Sequence, residues 1–100
     1  MAETVVSKNG IPIRLTDERW LHITEEHAEL AGYRFEVLDA IGEPERIVAG
    51  NAGELLAVKS QADGKILVVV YREQAADGFV ITAFLTRRTA SLDKRKQVWP

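Results

Sequence analysis

The sequence contains no cysteine. That excludes a disulfide framework, a thiolate nucleophile and any zinc site built on thiolates, and it fits a reducing compartment. Histidine is almost as scarce, with His22 and His27 the only two. Long apolar runs are missing too. The longest, Ile66 to Tyr71, is far shorter than the ~20 residues that span a bilayer. The opening MAETVVSKNG lacks the basic-then-apolar order of a secretory leader. These absences lead to the expectation of a cytoplasmic chain with no membrane partner.

What is present is ordinary for a globular protein: 46% apolar and 28% charged residues, with few glycines and prolines. At 100 residues the chain makes one domain, long enough to bury about two-thirds of its unfolded surface without a metal. The net charge of −2 favours neither nucleic acid nor membrane, but it hides an asymmetry. Residues 87–100 hold Arg87, Arg88, Lys94, Arg95 and Lys96 against Asp93, a balance of +4, which leaves −6 on residues 1–86. A basic tail on an acidic body suits contact with phosphates, and it equally suits a solvated tail.

Asn9-Gly10 is a turn signal, followed by a short extended segment at Ile11 to Leu15. Pro12 cannot donate to a ladder, so residues 1–15 are expected to be an arm with an edge strand. Thr16-Asp17-Glu18 reads as a helix start, a capping hydroxyl followed by first-turn acids. The first helix is expected to reach about Glu29, with Trp20, Ile23 and His27 near one face, and Gly32 to break it. A second helix is expected from Arg34 to Ile41, ending at Gly42 ahead of Pro44.

The period then changes to that of strands, at Glu45 to Ala49, Leu55 to Ser60, Lys65 to Arg72 and Phe79 to Thr86. Short Gly- and Asp-containing connections favour antiparallel neighbours. The expected fold is therefore α+β. Two helices (16–42) pack on a four-stranded antiparallel meander (45–88), and a basic tail (89–100) follows. One sheet face must lie under the helices; the other is only partly polar, so a partner chain or the tail is expected to cover part of it.

His22-Ile23-Thr24-Glu25-Glu26-His27 resembles a zinc-protease HExxH with one residue too many. Two histidines four apart on a helix ligate one zinc from the same side. Five apart, they lie ~140° apart around the axis and cannot share a metal. Glu26 adds at most a two-ligand His–Glu pair with His22, and no third histidine exists. No metal and no cofactor are expected. Read separately, His27 belongs to the Trp20–Ile23 face near the helix end, and His22 lies beside Glu18, Glu25 and Glu26. Near neutral pH, histidine is best suited to general acid–base proton transfer.

Four segments carry a resemblance to a known superfamily: Trp20-Leu21-His22-Ile23, His27-Ala28-Glu29-Leu30, Pro44-Glu45-Arg46-Ile47 and Val80-Ile81-Thr82-Ala83-Phe84-Leu85-Thr86. Their order and spacing resemble the phage- and toxin-associated nucleases that group barnase, EndoU, colicin-type tRNases and RelE. The resemblance implies a small metal-independent endoribonuclease, toxin-like, in which the 2′-hydroxyl attacks its own phosphate to leave a 2′,3′-cyclic end. It implies catalytic roles for His22, His27 and Thr82. Thr86, Lys59, Arg87 and Arg88 would bind the substrate. The partners implied are RNA and an antitoxin or immunity protein, with a homodimer also in view. The alternative is a non-catalytic RNA- or protein-binding module on the same scaffold. Each residue also has a structural use: Thr82 and Thr86 suit strands, Lys59 ends one, and Arg87-Arg88 suit edge protection.

Overall fold

Asn9-Gly10 is where the chain first reverses. In the computed structural model, which describes residues 2–100, Gly10 takes φ +80° and the loop joins β1 (Ala2–Val6) to β2 (Pro12–Thr16) as an antiparallel hairpin. That left-handed backbone suits glycine, which has no Cβ to clash. Thr16 ends β2 and caps α1 (Asp17–Glu26): its hydroxyl oxygen accepts from the Arg19 N–H at 3.0 Å, and Asp17 and Glu18 occupy the first turn. Such a cap is worth about 1 kcal/mol. The helix stops at Glu26, short of the expected Glu29, and passes through His27 into a 3-10 turn, Ala28–Leu30. Gly32, at φ +85°, separates this turn from α2 (Arg34–Gly42).

Strands β3 (Arg46–Ala49), β4 (Leu55–Ser60), β5 (Ile66–Gln74) and β6 (Asp77–Thr86) follow, then a short helix α3 (Ala90–Asp93) and β7 (Gln97–Trp99). They form one seven-stranded sheet in the order β1-β2-β6-β5-β4-β3-β7. Every neighbouring pair is antiparallel except β2–β6, which is parallel. The expected four-stranded antiparallel meander under two helices is therefore incorrect, and so is the expected edge position of the Ile11–Leu15 segment. Pro12 is the first residue of β2, and pairing to β6 begins only at Ile13 opposite Gly78. The missing N–H thus costs the ladder nothing on that side, and β2 sits inside the sheet. β1 and β7 are edge strands with mostly exposed side chains, so the sequence carries little apolar alternation to mark them.

Helices α1 and α2 cover one face of the sheet. Ile23, Leu30, Val37 and Ile41 pack there against Ala57, Leu67, Val69 and Tyr71. On the opposite face, Leu92 of α3 closes over Val48, Leu56, Val58 and Val68. The expected basic tail is thus a folded segment: its apolar residue seals the second face, while Lys94 and Lys96 remain exposed. Strand β6 carries a bulge at Ile81, because Thr82 pairs with Val70 while Val80 pairs with Tyr71. The bulge shifts the alternation by one residue. Val80 and Ala83 both face the helices, and Phe84 packs on the second face. No helix among the described residues is long and apolar enough to cross a membrane.

Candidate functional site

Two fully buried side chains, Ile23 and Leu30, hold the chain on either side of His27. Its backbone N–H closes α1 on the Ile23 carbonyl at 2.8 Å, and its own carbonyl accepts from Leu30 N–H at 2.9 Å. With φ −131° it leaves the helix, and its imidazole is about one-third exposed. Nδ1 lies 3.6 Å from a carboxylate oxygen of Glu29. The ring lies 6.3 Å from that of Phe84, tilted by 38°.

Glu29 lines a surface groove of about 330 Å³ together with Lys65, Leu85, Thr86 and Arg87. Sheet register brings these residues together, since Ile66 pairs with Thr86 and so sets Lys65 beside the end of β6. The connecting 3-10 turn, Ala62–Gly64, holds Asp63 at φ 61° and Gly64 at φ 74°. Arg87 Nη1 donates to the Asp63 carbonyl, which fixes the guanidinium at the mouth of the groove. Thr86 Oγ1 accepts from Arg88 N–H at 3.1 Å and donates to the Arg88 carbonyl at 3.4 Å. Its hydroxyl therefore shapes the turn that ends β6. Among the described residues, Lys65, Arg87 and Arg88 have no carboxylate partner within ion-pair distance. With one acid among these cations, the groove favours an anion.

The other nominated residues lie elsewhere. The His22 side chain is 59% exposed, and among the described residues its only ionic neighbour is Glu25, at 3.7 Å. Lys59 extends from β4 to Asp39 of α2 at 2.7 Å and ties the helix to the sheet. Thr82 is half-buried opposite Val70, with no side-chain hydrogen bond among the described residues, and does not line the groove. Of the seven nominated residues, His27, Thr86, Arg87 and Arg88 gather at one end of β6, while His22, Lys59 and Thr82 do not. Glu29, Lys65 and Phe84 are additions from the structure. Glu29 stands two residues after His27, and Lys65 follows the Asp63-Gly64 turn, so both carried a local signal. No group of three or more His, Asp or Glu side chains among the described residues is placed to hold a metal. No family model, curated protein or solved structure matches this chain.

Proposed function

We propose that the chain is a small cytoplasmic ribonuclease that cleaves RNA through its own 2′-hydroxyl, with the groove at the end of β6 as its active site. One observation supports this reading above the others. Glu29, whose carboxylate lies 3.6 Å from His27 Nδ1, lines a groove whose remaining polar lining is Lys65, Thr86 and Arg87. Cleavage by this route needs a proton acceptor, a proton donor and cations for the phosphate, and those are the groups assembled here. The Glu29 carboxylate takes the 2′-hydroxyl proton as that oxygen bonds to phosphorus. The 5′-oxygen leaves with its bonding electrons and takes a proton from the His27 imidazolium. Arg87 and Lys65 neutralise the charge that grows on the non-bridging oxygens, and Arg88 holds a flanking phosphate. The superfamily resemblance agrees with this chemistry. A neutralising antitoxin or immunity protein would present acidic groups to the same cations.

Purified protein is incubated with RNA in EDTA and the products are assayed for 2′,3′-cyclic ends. Cleavage is expected, with a loss of at least about 100-fold in His27→Ala. His22→Ala should stay within about twofold of wild type, since His22 stands beside Glu25 and not beside Glu29 of the groove. Wild-type protein that binds RNA without cutting it would sink the enzymatic reading and leave the RNA-binding module.

A further inference from the structure

At the other end of β5 lies a second cavity, of about 400 Å³, which no part of the proposed reaction uses. Its lining includes Ile47, Leu55, Val98 and Trp99, with Glu73 and Asn9 as the polar members. Its volume is in the usual range for a small-molecule site, and its exposed lining joins placed polar groups to a smaller apolar surface.

Glu73 is held in place. It accepts from Ser7 Oγ at 2.5 Å and from Asn9 Nδ2 at 2.9 Å, and Ser7 is only 5% exposed. Both donors are neutral. Among the described residues Glu73 has no cationic partner, whereas Glu3, Asp39, Glu43, Asp77 and Asp93 each have one. Gly53, opposite Glu73 by continuation of the Leu55–Tyr71 register, contributes no side chain to the lining, and the Arg72 guanidinium beside it, 3.2 Å from where a Cβ would stand, is tied to the Ala52 carbonyl at 3.0 Å. At the rim, Lys8 Nζ stands 5.2 Å from the centre of the Trp99 ring and 3.5 Å from Glu43. The chain's own ammonium thus already uses that aromatic face as a cation surface.

We propose that this cavity binds a small organic cation with a short alkyl stem, an alkylammonium or alkylguanidinium. The charged head pairs with Glu73 and the stem lies along Trp99, Leu55 and Ile47. Lys8 competes for the Trp99 face and is displaced on binding. The proposal is independent of the ribonuclease reading, because the two sites lie at opposite ends of a nine-residue strand.

The test is a titration of the intact chain with n-butylguanidinium and n-butylammonium, followed by NMR at the Asn9 side-chain amide, the Gly53 amide and the Trp99 indole. Saturable shifts are expected with both cations and none with n-butanol. Glu73→Gln should weaken binding by about tenfold or more, and Trp99→Phe by a few-fold. Lys8→Ala, a surface change that leaves the fold intact, should tighten it a few-fold. Equal response to butanol, unchanged affinity in Glu73→Gln of intact fold, or weaker binding in Lys8→Ala would each overturn the proposal. If Glu73→Gln does not fold, the butanol and Lys8 arms still decide. A short peptide with one internal arginine separates the sources. Tighter binding than n-butylguanidinium identifies a partner protein's side chain, and weaker binding a free small cation.

Discussion

Strand β5 begins beside Lys65, Thr86 and Arg87 and ends beside Glu73, and its two ends are built differently. At the first end the cations lack carboxylate partners among the described residues, and Arg87 and Arg88 are exposed. At the second end the carboxylate is fastened by Ser7 and Asn9, and the loop that carries them is itself closed by Ser7 N–H to Ile11 carbonyl and Gly10 N–H to Ser7 carbonyl bonds, each 2.9 Å. The difference is one of where order is invested. An open cationic groove suits a flexible polyanion, whose charges need attraction more than fit. A closed carboxylate beside an indole suits a small cation, for which fixed geometry lowers the ordering cost of binding.

The largest effect expected from breaking this contrast comes at Gly78, which pairs with Glu73 and, across the parallel ladder, with Ile13. A Cβ there would lie 2.5 Å from the Arg72 carbonyl oxygen and 2.5 Å from Ile13 Cδ1. Backbone cannot yield as a side chain does, so Gly78→Ala should cost about 3 kcal/mol. Gly64→Ala at the open end meets only the flexible Arg87 head at 3.3 Å, although its φ of +74° still strains an alanine. It should cost about 1 kcal/mol. Denaturant unfolding of the two variants measures the gap, and equal losses would erase the claimed difference in rigidity.

Next in size is a contrast in cleavage. Arg87→Ala should lower the rate about 100-fold, as removal of one charge-stabilising donor commonly does. Lys59→Ala should leave the rate unchanged. It should cost less than about 1 kcal/mol of stability, because the Lys59–Asp39 pair is about one-third exposed and screened by solvent. Cleavage assays and thermal melts of the same two samples check both halves. A Lys59 variant inactive while folded would return that residue to the site.

The five-residue spacing predicts His22 and His27 turned apart on one helix, but α1 ends at Glu26 and His27 stands outside it at φ −131°, so that rotation does not describe His27. The Thr16 cap and the glycine break at Gly32 were legible for local reasons. The bulge at Ile81 was not: a β-branched residue in an alternating run carries no sign of the extra step, and only pairing with Val70 and Tyr71 reveals it. β1 and β7 were hidden for a different reason. Edge strands bury too little to impose alternation, so Ala2–Val6 read as an arm and Gln97–Trp99 as a tail. The groove itself needed the tertiary fold, since Glu29 comes from the turn after α1, Lys65 from the β4–β5 connection and Arg87 from the end of β6.

A smaller effect is expected at Tyr71, fully buried with a hydroxyl that has no hydrogen-bond partner among the described residues. Burial, with help from the Glu73 charge, pushes its phenol well above the usual range. The folded chain therefore keeps a proton that the unfolded chain releases above about pH 10, so stability should fall as pH rises through that point. Tyr71→Phe removes an unsatisfied group as well as the titration. It should be neutral or gain about 1 kcal/mol at pH 7, and it should lose this share of the alkaline decline. Urea unfolding of both proteins between pH 8 and 11 checks it, and a phenylalanine variant markedly weaker at neutral pH would mean that the hydroxyl is bonded.

The smallest effect concerns the turn that holds Gly53 at the cavity wall. The Ala52 N–H donates to Glu54 Oε1 at 2.7 Å, and Gly50 N–H donates to the Glu54 carbonyl at 2.8 Å. The Ala52 bond, then the backbone N–H of Glu54 itself and the charges of Arg72 and Arg95, hold the Glu54 carboxyl below the usual glutamate range. A depressed carboxyl contributes stability that is fully present above its unfolded value and is lost as pH falls through the folded one. Acidification should therefore loosen residues 50–54 and leave the Ala62–Gly64 turn, which Arg87 holds through a backbone carbonyl, unmoved. Carboxyl NMR titration of Glu54, followed with amide exchange rates in the two turns, tests this directly. Both turns loosening together would show that the cavity end owes its order to the whole sheet and not to its own hydrogen bonds.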